Sequence, residues 1–228
     1  MSIKRALIFA NGSLTDLEAA RGLLRPGDYL VAADGGARHL ASLGLRPDLL
    51  VGDLDSLTAQ EVAGWGKQGV EILRFPPEKD ETDLELALQI TISRGYSDLT
   101  LLAALGGRID QTLANIFLLG LPGLEKALVR LDDGRDELFL IHTRAEVHGK
   151  AGEIVSLLPL GGPAHGVTTR GLRYPLREES LFPERTRGIS NELLADQAEV
   201  SLREGVLLCI HTRASQPEMA ARLPGDSA

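Results

Sequence analysis

Leu49-Leu50-Val51 runs directly into Gly52-Asp53-Leu54-Asp55-Ser56: an apolar run without polar alternation, then a glycine and two aspartates one residue apart. Uninterrupted apolar runs are what strands buried on both faces look like, and such strands belong to parallel sheets covered by helices. The same texture recurs at Ala6-Leu7-Ile8-Phe9, Tyr29-Leu30-Val31-Ala32, Ile72-Leu73-Arg74-Phe75, Leu99-Thr100-Leu101-Leu102 and Ala127-Leu128-Val129. Helical spacing lies between some of these runs, in Leu84, Leu88 and Ile92 and in Leu113, Ile116 and Phe117. Strand alternating with helix implies right-handed crossovers and a parallel sheet, so this part of the chain is α/β.

Past about Arg135 the texture changes. Short β-like runs, Leu138–Ile141, Ile154–Leu158, Gly166–Thr169, Glu199–Leu202 and Val206–Ile210, are punctuated by Pro159, Gly161-Gly162-Pro163, Gly188 and Gly205. Strands spaced by such turn signals suggest a small all-β domain, sandwich or barrel. The expected organisation is an α/β domain over residues 1–140 followed by a β domain over 141–228, with Ser215–Ala228 frayed.

Among the 228 residues, Lys+Arg number 24 against 32 Asp+Glu, a net charge of -8. That balance argues against a nucleic-acid surface, because phosphate backbones recruit a Lys/Arg excess. An anionic ligand is compatible with it only if cations accompany the ligand. The single cysteine, Cys209, sits in an apolar run and reads as a small buried hydrophobe. No stretch is long enough to span a bilayer, and Met1–Asn11 carries no cleavage pattern, so the expectation is a soluble, cytoplasmic protein. No Walker-type phosphate loop, no Gly-x-Gly-x-x-Gly after a strand, no helical zinc spacing and no Gly-x-Ser-x-Gly elbow occurs.

The informative residues follow the strands. Asn11-Gly12-Ser13, Asp34-Gly35-Gly36, Gly52-Asp53-Leu54-Asp55-Ser56, Lys79-Asp80-Glu81-Thr82-Asp83 and Gly106-Gly107-Arg108-Ile109-Asp110 come in that order. The carboxyl ends of parallel strands share one edge, where ligands bind, so Asp34, Asp53, Asp55, Asp80, Asp83 and Asp110 would converge there. Crowded carboxylates repel, and magnesium, a hard oxygen-seeking ion, suits them. Duller readings stand beside each. Asp34-Gly35-Gly36 could be a plain turn, and Thr82 with Glu85 fits a capping box whose dipole would also welcome Asp83. Gly106-Gly107-Arg108 at a helix start is a candidate anion seat or a solvated turn.

Taken together, Asp34-Gly35-Gly36-Ala37, Gly52–Ser56, Lys79–Asp83 and Gly106-Gly107-Arg108-Ile109-Asp110-Gln111-x-x-x-Asn115 resemble the thiamine pyrophosphokinase family. Val155–Leu160, Thr168-Thr169-x-Gly171-Leu172 and Gly188-Ile189-Ser190-Asn191-Glu192 resemble that family's second domain. The resemblance implies a parallel-sheet α/β nucleotide-binding domain followed by a β-sandwich that binds thiamine. It implies transfer of pyrophosphate from ATP to the thiamine hydroxyl, giving thiamine diphosphate and AMP, and a homodimer with thiamine at the subunit interface. Carried over residue by residue, Asp53, Asp55 and Asp83 would hold magnesium. Asn11, Asp34, Gly35, Lys79, Thr82, Gly107, Arg108 and Asn115 would contact ATP. Arg108, Asp80 and Asp110 would serve catalysis, either aspartate as a general base, and Ser190 and Asn191 would lie near thiamine. The family often sets an aromatic ring near its last strands against thiamine. Gly205–His211 holds none but His211, which leaves Tyr174 or Phe182 as substitutes. Competing expectations are a pyrophosphokinase for another heterocyclic alcohol, such as a hydroxymethylpterin, and a non-catalytic nucleotide or thiamine sensor.

Overall fold

The computed structural model describes residues 3–214, so the expectation for Ser215–Ala228 lies outside the described residues. The chain divides into two compact units between Gly134 and Arg135, ahead of the 140/141 boundary read from sequence. The strand Asp136–Ile141 belongs with the second unit because it pairs with the unit's last strand.

In the first unit, β1 (Arg5–Phe9), β2 (Tyr29–Ala33), β3 (Leu49–Gly52), β4 (Glu71–Arg74), β5 (Asp98–Leu102) and β6 (Leu128–Asp132) alternate with five helices. These are α1 (Leu17–Leu23), α2 (Gly36–Ser42), α3 (Ala59–Lys67), α4 (Asp83–Ser93) and α5 (Ile109–Phe117). The strands lie in the order β6-β5-β1-β2-β3-β4, every pair parallel. The chain grows from β1 to β4 in one direction and then returns to β1's other side for β5 and β6. The sheet therefore has its switch point between β1 and β5, where open α/β sheets form their ligand crevice. Ala6, Leu7, Ile8 and Phe9 are all fully buried, which requires cover on both faces of the sheet. Leu7 and Phe9 pack in one cluster with Ala37, Leu40 and Leu43 of the α2 segment. Edge strand β4, by contrast, has no fully buried residue.

Helix starts follow capping chemistry. Thr58 and Glu61 form the complete reciprocal box at α3, and Arg38 of α2 grips Glu61 through Nε and Nη2 at 2.9 and 3.0 Å. At α4, Thr82 accepts from the Glu85 backbone N–H at 3.2 Å, while Glu85 Oε1 accepts from Gln89 instead. Thr82 thus caps the helix through half a box, with Asp83 as the first helical residue.

The second unit holds β7 (Asp136–Ile141), β8 (Arg144–His148), β9 (Ile154–Pro159), β10 (Ala164–Arg170), β11 (Glu179–Leu181), β12 (Asn191–Glu192), β13 (Gln197–Ser201) and β14 (Leu207–Thr212). They form two antiparallel layers, β12-β9-β14-β7 and β11-β10-β13-β8. Ile141, Val155, Leu157, Leu207 and Cys209 from the first layer share a core with Val147, Val167, Leu181 and Val200 from the second. This is a sandwich. Burial pushes the Cys209 thiol well above its ordinary pKa, so it is the inert apolar residue its context suggested. Among the described residues no helix is long and apolar enough to cross a membrane.

His211 on β14 is one of the buried polar residues of this unit. Its side chain is 1% exposed, and Nε2 lies 2.8 Å from Glu153 Oε2. Burial opposes the imidazolium, but the nearby Glu137 and Glu153 carboxylates, the second hydrogen-bonded to Nε2, outweigh it and raise the pKa above the ordinary 6.5. A raised histidine pKa adds stability that is complete below pH 6.5 and is lost as pH rises through the folded-state value. The expected result is that the gap in Tm between the native chain and His211→Gln is widest in mildly acidic buffer and narrows as pH rises. A gap independent of pH would contradict the charged pairing.

Candidate active site

The sheet's carboxyl edge carries a cleft of about 540 Å³ lined from four of the five loops expected to meet there. Asn11, Gly12 and Ser13 follow β1, Asp34 follows β2, Lys79, Thr82 and Asp83 follow β4, and Gly106, Gly107, Arg108, Gln111 and Asn115 follow β5. The loop after β3 contributes Asp53 to the acidic cluster in the cleft. One carboxylate oxygen each from Asp34, Asp53 and Asp83 lies within 4.8 Å of the others. Asp34 is only 6% exposed, and its Oδ1 is buried without a hydrogen-bond partner. A buried, unsatisfied carboxylate oxygen is costly unless a cation completes it, and hard oxygen donors in this number suit a magnesium-like ion.

Glycine permits the approach. Gly52 has φ +146°, a conformation that residues bearing a β-carbon avoid, and such a carbon would sit 3.0 Å from Asp83 Cγ and 3.2 Å from Asp34 Cβ. The neighbouring backbone is strained as well: Asp34, Leu54 and Ala103, just beyond β2, β3 and β5, have φ of +47°, +64° and +53°. Non-glycine residues occupy that region only where surrounding structure holds them, and such positions gather at functional sites.

Lys79 supplies the local positive charge. Its Nζ stands 3.0 Å from Asp83 Oδ1 and 3.8 Å from Asp53 Oδ2, and its side chain is 11% exposed. Burial opposes the ammonium, yet Asp83, Asp53 and Asp34 together lift its pKa above the usual lysine value. Burial raises the Asp83 carboxyl; Lys79 counters this, while the like charges of Asp53 and Asp34 add to it. The cluster therefore holds more negative charge than one lysine balances.

The other site residues expected from sequence fall into distinct positions. Asp55 is exposed and outside the three-carboxylate cluster; its N–H donates to Asp53 Oδ1 at 3.1 Å, and Ser56 Oγ lies 3.4 Å from its own Oδ1. Asp34 stands in the cluster that the sequence reading had given to Asp53, Asp55 and Asp83. Asn11 Nδ2 donates to Ser56 Oγ at 3.2 Å, tying the β1 loop to the β3 loop. Gly35 packs against Asn11 so closely that a β-carbon would collide with its side chain. Arg108 reaches the cleft but forks onto Asp110, Nε at 3.1 Å and Nη2 at 2.5 Å, with both side chains largely exposed. That hydrogen bonding pulls the Asp110 carboxyl below its usual range, which makes Asp110 a weak base. Asp80 is exposed and does not line the cleft. Asn115 is buried, and its Nδ2 anchors α5 to the Ala104 carbonyl at 2.8 Å.

In the sandwich, Ser190 is exposed with φ +55°, and its N–H donates to Ser156 Oγ at 2.9 Å. Asn191 is buried and fully engaged: Oδ1 accepts from Tyr174 and Glu192 N–H, and Nδ2 donates to the Tyr174 carbonyl at 2.7 Å. What it presents is its neighbour's ring, since Tyr174 is half exposed. Phe182 instead meets His165 edge-on. Ser13, Gln111 and Ser56 are site features that the sequence reading did not single out. Only their neighbours' chemistry marked the loops that carry them.

The family model described as thiamin pyrophosphokinase, catalytic domain, matches residues 20–127, and that described as thiamin pyrophosphokinase, vitamin B1 binding domain, matches residues 140–207. A thiamine pyrophosphokinase of Bacillus subtilis is 29% identical over 185 residues, covering 80% of this chain and 86% of the relative. The crystal structure of thiamine pyrophosphokinase from Bacillus subtilis superposes with a TM-score of 0.84 at 26% identity, covering 93% of this chain and 100% of that one. That of a thiamin pyrophosphokinase family protein from Enterococcus faecalis gives 0.79 at 30% identity, with the same coverage. An α/β unit with an acidic cleft, a sandwich after it and matches across both units lead to one conclusion: the chain belongs to the thiamine pyrophosphokinase family.

Proposed function

We propose that this chain transfers the pyrophosphoryl group of ATP to the hydroxyl of thiamine, releasing AMP. The observation that carries the proposal is the convergence of Asp34, Asp53, Asp83 and Lys79 on a cleft that the Gly106-Gly107-Arg108 loop also lines. Asp34, Asp53 and Asp83 would hold magnesium, with Asp55 beside them on the same loop as Asp53. When bound, magnesium would offset charge on the phosphate oxygens. Lys79 and Arg108 contribute protein charge towards the same oxygens, and Asn11, Gly35, Thr82, Gly107 and Asn115 shape the nucleotide seat. The thiamine oxygen attacks the β-phosphorus in line, the bond from that phosphorus to the α-phosphate oxygen breaks, and AMP leaves. The hydroxyl proton passes to a base of modest strength; of the two aspartates, Asp110, flanked by the cleft residues Arg108 and Gln111, fits that role better than Asp80, which does not line the cleft. Such transfers depend mainly on positioning and electrostatics.

On the sandwich, Ser190 offers an exposed hydroxyl, and Asn191 acts through the Tyr174 backbone it clamps. A homodimer, with thiamine seated where subunits meet, completes the proposal. Sedimentation should then give about twice the 24.5 kDa chain mass. The decisive assay supplies ATP and magnesium with either thiamine or 6-hydroxymethylpterin and follows AMP. We expect AMP with thiamine and its loss on chelation of the divalent ion. AMP with the pterin alone would overturn the assignment.

A further inference from the structure

We infer that His39 is a positioning residue for nucleotide binding, holding the Asn11-Gly12-Ser13 loop in register with the acidic cluster; this rests on the function proposed above. The loop is pinned on one side by backbone: Ala10, Gly12 and Ser13 N–H groups donate to the carbonyls of Leu102, Ala103 and Leu105 at 2.9, 2.8 and 3.3 Å. On the other side its Gly12 carbonyl meets His39 Nε2 at 2.9 Å. A carbonyl oxygen only accepts, so Nε2 carries the hydrogen.

His39 sits on α2, the helix that starts two residues after Asp34. The first turn of that helix already lies hard against the same segment. β-Carbons on Gly35 and Gly36 would strike Asn11 and the Phe9 carbonyl, and one on Gly12 would strike the Ala103 carbonyl. The loop can therefore move neither towards β5 nor towards the start of α2. Further along the helix, the His39 bond ties the loop to α2. Through it, the loop that lines the cleft and the helix that begins beside Asp34 keep one spacing. The side chain does not itself line the cleft. Its effect on the ligand passes through Gly12.

The test uses three variants of the full chain. Gln carries its amide nitrogen the same number of bonds from Cβ as histidine carries Nε2, whereas Asn carries it one bond short and Ala has no donor. A neutral hydrogen bond lost at this point should weaken nucleotide affinity by about five- to tenfold. His39→Ala and His39→Asn should raise the ATP KM, and the Kd of a fluorescent ATP analogue, by that factor while kcat stays within about twofold. His39→Gln should recover most of the loss. Native affinity in His39→Ala, or rescue by Asn as complete as by Gln, would overturn the inference. A lower Tm with unchanged nucleotide affinity would overturn it too, by reducing His39 to a structural contact. If the native chain binds the analogue but makes no AMP from ATP and thiamine, the proposed function fails, and the affinity series still decides on His39.

Discussion

Asp83→Asn should lower kcat for AMP formation by roughly a thousandfold or more while leaving the fold in place. The side chain lies beside Asp34, Asp53 and Lys79, and the cap of α4 does not depend on its charge, because Thr82 supplies it. Burial and two like-charged neighbours disfavour its ionised form. Exchange for a neutral isostere should therefore leave Tm unchanged or slightly higher, the pattern of a residue kept for activity at some expense of stability. Circular dichroism and a thermal melt check the fold, and a coupled AMP assay checks the rate. Turnover close to native would remove Asp83 from the reaction, and a collapsed melt would make it a structural residue.

Gly36→Ala should be the most damaging of the conservative changes to the first unit. The added carbon would collide with the Phe9 carbonyl, where α2 crosses the end of the central strand β1. The carbonyl is backbone and a β-carbon has no torsion of its own, so neither can turn aside. A destabilisation of about 3 kcal/mol is expected, at the upper end for overpacked sites. The control is Gly22→Ala within α1, where a new β-carbon meets nothing within 4 Å. Exchange there should stabilise the chain by about 0.5–1 kcal/mol through helix propensity. Urea midpoints moving in opposite directions for the two alanines would bear out the steric reading. Equal small shifts would refute it.

The inner parallel strands were legible because both their faces are covered, which leaves apolar runs with no alternation to confuse them. Helices α4 and α5 were legible by their spacing. Short helices such as α1 and α2 and the strands β8, β11 and β12 carry weaker patterns; β12 is two residues long and exists through its pairing with β9. In the site, the loops were readable from their acids, but which acids meet was not. Asp53 and Asp55 are equivalent in spacing, yet the left-handed turn at Leu54 gives them different surroundings, and Asp55 stays in solvent. Asp34 looked like a turn residue, and its burial comes from β2 lying inside the sheet beside β3. The bond from His39 to Gly12 joins residues 27 apart and has no sequence signature.

The three left-handed residues beyond β2, β3 and β5 set a route to a hardier protein. Glycine at Ala103, away from the cleft lining, would relieve its backbone while removing one methyl group. At Asp34 the same relief would delete a carboxylate from the cluster. Heat tolerance can thus be raised at Ala103 with turnover left as it is, whereas at Asp34 the two stand in opposition.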